Sequence, residues 1–308
     1  MGILNDRVAI VTGGGLGLGR AHSLELARQG ATVVIVDPSV ALDGTPSTES
    51  PAQDVVKEIE AAGGKAKWVN LSVTDFDGVG SLIEDVVSEF GRLDAVVNNA
   101  GITRDKMVVT MSEAEWDSVI AVHLKGTFNT IHHAGAYWRG LSKAGTPTSG
   151  RIINTVSGTG LRGNVGQTNY GAAKAGIANL TVISGMELAN YGASVNAIAP
   201  VARTRMTDAG GSFARGPVED GAFDAFDPAN ASPLVAYLAS EQAGWLNGQV
   251  IRVDGNELHF YHRWRVSEQA YKPAEERILD AKELDIALKG LYGAFPFGQG
   301  DRRLLLDS

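Results

Sequence analysis

Three residues within 154–174 have the types and spacing needed to move a proton onto and off an oxygen: Ser157, Tyr170 and Lys174. Tyr170 and Lys174 stand four apart in a run with helical spacing, so their side chains leave one helix face a turn apart. A free phenol titrates at about 10, and a neighbouring ammonium favours the phenolate and lowers that value. The pair suits taking the proton of an alcohol hydroxyl and returning it to a carbonyl oxygen. Ser157 closes a β-branched run upstream, where its hydroxyl meets the same oxygen as charge develops. Tyrosine and lysine at this spacing are common, so their weight comes from partners elsewhere in the chain.

One partner is the turn "TGGGLGLG", Thr12 to Gly19, between an apolar run and a helical one. Gly13 permits a tight turn, Gly17 lets the backbone approach a pyrophosphate, and Gly19 allows close helix packing. The helix N-terminus, which includes Leu18, favours an anionic phosphate. Thr12, Gly13, Gly17, Leu18 and Gly19 are therefore expected to hold a dinucleotide. Asp37 ends the next strand, where a carboxylate accepts from adenosine ribose hydroxyls and repels a 2′-phosphate. Residues 13–19 contain no Lys or Arg, although Arg20 follows at once, so the expected cofactor is NAD and not NADP. A nicotinamide can take the hydride that leaves the alcohol carbon, and when oxidised it acts with Lys174 to favour the phenolate, which joins both motifs in one redox reaction.

The elements that must position these residues follow from hydrophobic periodicity. Seven short runs, "RVAIVTG", "TVVIVD", "KAKWVNL", "LDAVVNNAG", "GRIINTVS", "SVNAIAP" and "GQVIRVDG", read as strands buried on both faces. Segments with helical spacing lie between them, several closing on glycine. The alternation implies an α/β fold with a doubly wound parallel sheet flanked by helices, over residues 1–256. Residues 257–308 form a C-terminal extension, expected to pack on that domain or on a neighbouring subunit. Residues 38–51 read as an inserted loop, and residues 201–230, with Phe213, Phe223 and Phe226, as a flap with apolar contacts.

Composition removes other function classes. A net charge of -8 gives no attraction for nucleic acid or an anionic membrane surface. The absence of cysteine excludes disulfides, thiol nucleophiles and cysteine-ligated zinc, and fits a reducing compartment. No secretory signal or membrane-length apolar run is visible, so a cytoplasmic location is expected. His132 and His133 read as surface histidines and no metal site is expected.

Taken together, the turn Thr12-Gly13-Gly17-Gly19, the run Asn98 to Gly101, and Ser157, Tyr170 and Lys174 make the chain resemble a short-chain dehydrogenase/reductase over residues 5–256. That resemblance implies a Rossmann sheet, a nicotinamide cofactor, and a homodimer or homotetramer built through helices at 116–139 and 168–190. It also implies that Asn99, Ala100 and Gly101 line the cofactor cleft, Ser72 and Val73 face the adenine, and Pro200, Val201 and Thr204 lie on the nicotinamide side, with Tyr170 and Lys174 touching the cofactor. His123 stands where the family commonly has an asparagine supporting a water-linked proton path to the lysine. An imidazole there titrates near neutrality, so this relay is expected to be pH-sensitive.

"AGITRDKM", "AVHLKGTF", "GNVGQTNYGAAKAG" and "RTRMT" make the chain similar to the dehydrogenase part of multifunctional β-oxidation enzymes. This likeness implies oxidation of a (3R)-hydroxyacyl-CoA with NAD. A 17β-hydroxysteroid dehydrogenase, a 3-oxoacyl-thioester reductase and a cofactor-binding regulatory protein are the alternatives.

Overall fold

The β-branched runs become strands because their side chains can be covered on both faces only inside a sheet with helices above and below. In the computed structural model, which describes residues 2–38, 50–203, 222–262, 270–272, 281–282 and 284–293, they are β1 (Val8–Thr12), β2 (Thr32–Val36), β3 (Lys65–Val69), β4 (Ala95–Asn98), β5 (Gly150–Thr155), β6 (Ala193–Val201) and β7 (Val250–Asp254). All seven are parallel, in the order β3-β2-β1-β4-β5-β6-β7. The chain winds outward in both directions from β1 and β4, and the strand ends beside that reversal open a crevice. This is the doubly wound α/β sheet expected from the sequence.

An eighth strand, β8 (Glu257–Phe260), runs antiparallel to β7 and was not anticipated. Asp254 pairs with Glu257 across a two-residue turn whose first residue, Gly255, has φ +55°. Only glycine adopts that conformation readily, which makes a tight hairpin. All four β8 residues are exposed, so the strand lacks the apolar run that marked the others. The chain divides into two compact units, Met1–Tyr261 and His262–Ser308, so residues 257–260 belong with the sheet. In the second unit the described helix is Leu284–Gly293. A further correction concerns β3, which is an edge strand with Lys65 and Lys67 exposed and so is not covered on both faces.

Helices cover both faces of the sheet. On one lie α1 (Gly17–Arg28), α2 (Pro51–Ala61) and a helix at Ser232–Ala239, packed over Val11, Ile35, Val97 and Ile153. On the other lie α3 (Phe76–Phe90), α5 (Gly126–Lys143) and, after the short α6 (Gly158–Arg162), α7 (Thr168–Leu188), over Ile10, Val34, Val96 and Ile152. Successive strand residues thus feed opposite cores, as a period of two requires. Local signals set the helix ends: Asp75 caps α3 by accepting from Gly78 N–H, and Gly91 closes it at φ +76°.

One helix departs from the simple pattern. The stretch 112–138 reads as one helix, but α4 (Glu113–Ile120) passes into a π-helical turn, Ala121–Lys125, before α5 begins. Such turns add a residue to the helix and re-aim the side chains around it. Here the re-aimed residue is His123, which is buried. His133 is half-buried with Nε2 unpartnered among the described residues, so only His132 fits the surface reading. Residues 39–49 of the expected loop and 204–221 of the expected flap, including Phe213 and Thr204, lie outside the described residues.

Candidate active site

Strand register gathers the candidate residues at one edge. Thr12 pairs with Val36, Val11 with Val97, and Asn98 with Asn154, so β1, β2, β4 and β5 end within a residue of one another, while β6 runs three residues past the Thr155–Ile198 pair to Val201. Asp37, Asn99, Ser157 and Pro200 all follow or close those ends. The turn after β1 fits a dinucleotide phosphate: Gly13 and Gly17 have φ +62° and +53°, and a Cβ on Gly19 would lie 2.0 Å from the Gly13 carbonyl oxygen. No side chain caps the N-terminus of α1 and its first turn carries no acid, which leaves the positive end of the helix available to an anion.

The surrounding residues brace this turn. Thr12 is buried, and its hydroxyl accepts from Asn99 N–H (3.0 Å) and Ala100 N–H (3.1 Å). Asn99 Nδ2 donates to the carbonyls of Thr12 and Gly13, both at 3.1 Å, which locks the Asn99–Gly101 run against the turn. The Asp37 carboxylate accepts from Gly15 N–H at 3.1 Å. Ser72 shares a hydrogen bond with Thr74, and the Val73 carbonyl accepts from buried Asn129.

On the opposite flank, Ser157 follows β5 and caps the short helix Gly158–Arg162, accepting from Thr159 N–H. Tyr170 and Lys174 leave the first turns of α7 on one face, with Lys174 Nζ 5.5 Å from the Tyr170 ring centre. Lys174 is buried and donates to the Thr155 carbonyl at 2.7 Å. Burial lowers its pKa to about 7. Burial raises the Tyr170 hydroxyl above the ordinary phenol value, opposed by a hydrogen bond with Ser157 and assisted by Asp105. The enclosure that brings the two groups together also disfavours the charge on each, and so opposes the lowering expected from Lys174 and an oxidised nicotinamide acting jointly.

His123 is also corrected. Its ring meets Tyr170 edge-on at 5.1 Å, and Nε2 lies 2.7 Å from the Ile102 carbonyl oxygen. Nε2 also lies 3.1 Å from Ile102 N–H, so it keeps an Ile102 partner in either tautomer, while buried Nδ1 is unpartnered among the described residues. Burial, with the charge of Lys174, lowers its pKa to about 3 against the opposing Ile102 hydrogen bond. His123 is therefore neutral from pH 6 to 8 and does not titrate near neutrality. A Cβ on Gly101 would stand 2.4 Å from its ring, so Gly101 is also the floor on which His123 lies.

Sequence reasoning missed the residues that hold the catalytic face. Asn169 is buried: its Oδ1 accepts from Tyr170 N–H at 2.7 Å, while its Nδ2 donates to the carbonyls of Arg104 and Glu115. Behind it, Thr130 donates to Asn98, Asn98 to Asn154, and Asn154 to Thr181, joining β4 and β5 to α5 and α7. The signal was available, since an asparagine within a continuous apolar strand must find a buried partner.

A doubly wound sheet with a glycine turn after its first strand is a dinucleotide-binding architecture. Comparisons with known proteins make the class specific. The short chain dehydrogenase family model matches residues 7–212. Hydroxyacyl-CoA dehydrogenase ChsB1 of Mycobacterium tuberculosis is 45% identical over 88% of this chain and 86% of its own length. The peroxisomal hydratase-dehydrogenase-epimerase of Neurospora crassa is 36% identical over 98% of this chain, which spans 32% of that longer protein. A short chain dehydrogenase from Mycobacterium avium superposes with a TM-score of 0.84 at 50% identity, covering 95% of this chain and 96% of the other. The chain belongs to the short chain dehydrogenase family and is an oxidoreductase acting on CH–OH groups.

Proposed function

We propose that this chain is an NAD-dependent dehydrogenase interconverting a (3R)-3-hydroxyacyl-CoA and its 3-oxoacyl-CoA. The observation that carries the reading is Tyr170 between Ser157 and Lys174 at the crevice edge, within a chain 45% identical to a hydroxyacyl-CoA dehydrogenase. Bound nicotinamide supplies the hydride acceptor, and its positive charge favours tyrosinate. Tyr170 takes the hydroxyl proton of the substrate, Ser157 donates a hydrogen bond to that oxygen, and Lys174 steadies Tyr170 and contacts the cofactor ribose. His123, through its otherwise unpartnered Nδ1, orders water beside Lys174 in the proton path. Thr12, Gly13, Gly17, Leu18 and Gly19 form the phosphate cradle, Asp37 the ribose contact, and Ser72, Val73, Asn99, Ala100, Gly101, Pro200 and Val201 the remaining cleft.

Among the described residues no helix is long and apolar enough to cross a membrane and no metal-ligand cluster occurs. The reading is of an enzyme that takes a small-molecule substrate. Exposed Phe128, Ile183 and Met186 on α5 and α7 support association of copies through those helices.

A second reading, a 3-oxoacyl-thioester reductase, is favoured by 38% identity to 3-oxoacyl-[acyl-carrier-protein] reductase FabG of Thermotoga maritima over 82% of this chain. Absorbance at the NADH band, with NAD or NADP and either a 3-hydroxyacyl-CoA or a 17β-hydroxysteroid, tests both. Turnover with NAD and the thioester is expected. Turnover with the steroid alone, or tighter use of NADP, overturns the substrate or the cofactor assignment respectively.

A further inference from the structure

We propose that the two loops beside Tyr170, residues 102–109 and 158–167, recognise the phosphates of a coenzyme A thioester through Arg104, Lys106 and Arg162. The inference rests on the reading of the substrate as a hydroxyacyl-CoA and adds the residues that select it. The loops are tied together and to the catalytic helix. Lys106 forms a parallel bridge with Gln167 and donates its N–H to the Gly166 carbonyl at 2.8 Å. Gln167 Nε2 donates to Asp105 at 2.8 Å, and Asn169 Nδ2 to the Arg104 carbonyl at 3.0 Å. The backbone from which Arg104 and Lys106 project is therefore fixed relative to Tyr170. Arg162 lies beside Ser157, since a Cβ on Gly158 would stand 3.1 Å from its guanidinium Nη2.

Among the described residues none of these three cations has an ion pair; exposed Lys65, Lys125, Arg139 and Lys143 share that property, and what sets the three apart is their place on the loops beside Tyr170. Of the nearby acids, Asp105 is bonded to Gln167, and Glu115 is bonded to the N–H and hydroxyl of Ser112, with Lys106 and Arg104 acting on it through their charge and not through an ion pair. The same loops expose Met107 (53%), Val109 (87%) and Val165 (60%). Apolar side chains next to unpaired cations, on a chain of net charge -8, match an aliphatic arm that ends in phosphates. An uncharged alcohol such as a steroid would use the apolar groups and leave the cations without a role.

The test compares kcat/KM for a (3R)-3-hydroxyacyl-CoA with that for the same acyl group on N-acetylcysteamine, which lacks the phosphates. The wild-type preference for the CoA form should shrink as salt is raised, because exposed charges are screened. The triple variant R104Q/K106Q/R162Q should lower that preference about tenfold, the size expected for three exposed ionic contacts. An unchanged ratio overturns the assignment of these residues while leaving the dehydrogenase reading intact. If neither thioester turns over, the dehydrogenase reading fails separately, and calorimetric binding of coenzyme A still decides this one. Weaker binding by the variant than by wild type supports it; equal binding or none refutes it. Circular dichroism and cofactor binding serve as fold controls.

Discussion

The two flanks of the crevice are built from different materials. On the β1 side the candidate site is backbone: glycines at φ +62° and +53°, a helix end with no side-chain cap, and a Gly19 position with no room for a Cβ. On the β5 side it is side chains on a regular helix, held by the buried amides of Asn169, Asn154 and Asn98. A phosphate is bound by N–H groups that every residue owns, so that flank is sensitive to added atoms. Proton transfer needs particular groups, so the other flank is sensitive to removed ones.

The sharpest break in that contrast is Tyr170→Phe, which removes one oxygen and leaves the glycine turn untouched. Turnover should fall by about 10²–10⁴-fold, the usual contribution of a positioned acid–base group, with NAD affinity retained. Steady-state rates and a fluorescence titration of cofactor check both halves; near-normal turnover would remove Tyr170 from the mechanism. The converse change is Gly19→Ala, which adds one carbon 2.0 Å from the Gly13 oxygen. It should weaken cofactor binding and lower stability by about 1–3 kcal/mol, as overpacking does. Unaltered binding and an unaltered melting temperature would contradict the cradle.

Asp37→Ala should weaken NAD binding about 10–100-fold, the range for hydrogen bonds to a charged group, while NADP binding improves or holds. Equal losses for both cofactors would deny the carboxylate its selective role. A smaller effect is expected at His22 on α1, which is buried with a pKa lowered to about 3 and paired to Ser232 through Nδ1. Below pH 6.5 the unfolded chain takes up a proton that the folded chain excludes, so folding stability falls as pH drops from 6.5 towards 3. His22→Asn should reduce that fall in denaturant melts at pH 7 and pH 5; parallel losses in both proteins would exclude His22 as a source. The mildest change is His123→Asn. Because the imidazole is neutral throughout pH 6–8, the variant's pH–rate profile should keep the wild-type shape there, and a lost inflection would restore His123 as a titrating group.

Strand and helix order was legible because the β-branched runs are continuous and the helices carry their own stops, as Asp75 and Gly91 do for α3. β8 was not, since its four residues are exposed and its only cue is the Gly255 turn. The π-helical turn at Ala121–Lys125 was equally hidden: the spacing of 112–138 is that of an ordinary helix, and the extra residue appears only once both flanking segments are packed. Asn169 went unnoticed because its partners, the carbonyls of Arg104 and Glu115, are 65 and 54 positions away.

By itself, the sequence determined which chemical groups are available and the order in which a parallel sheet delivers them. Residue type and short-range spacing carry that information, as with Tyr170 and Lys174 one helical turn apart. Only the tertiary structure decided their electrostatic state. Burial depends on what distant segments cover, and here it drives Lys174 to about 7, His123 to about 3 and the Tyr170 hydroxyl upward.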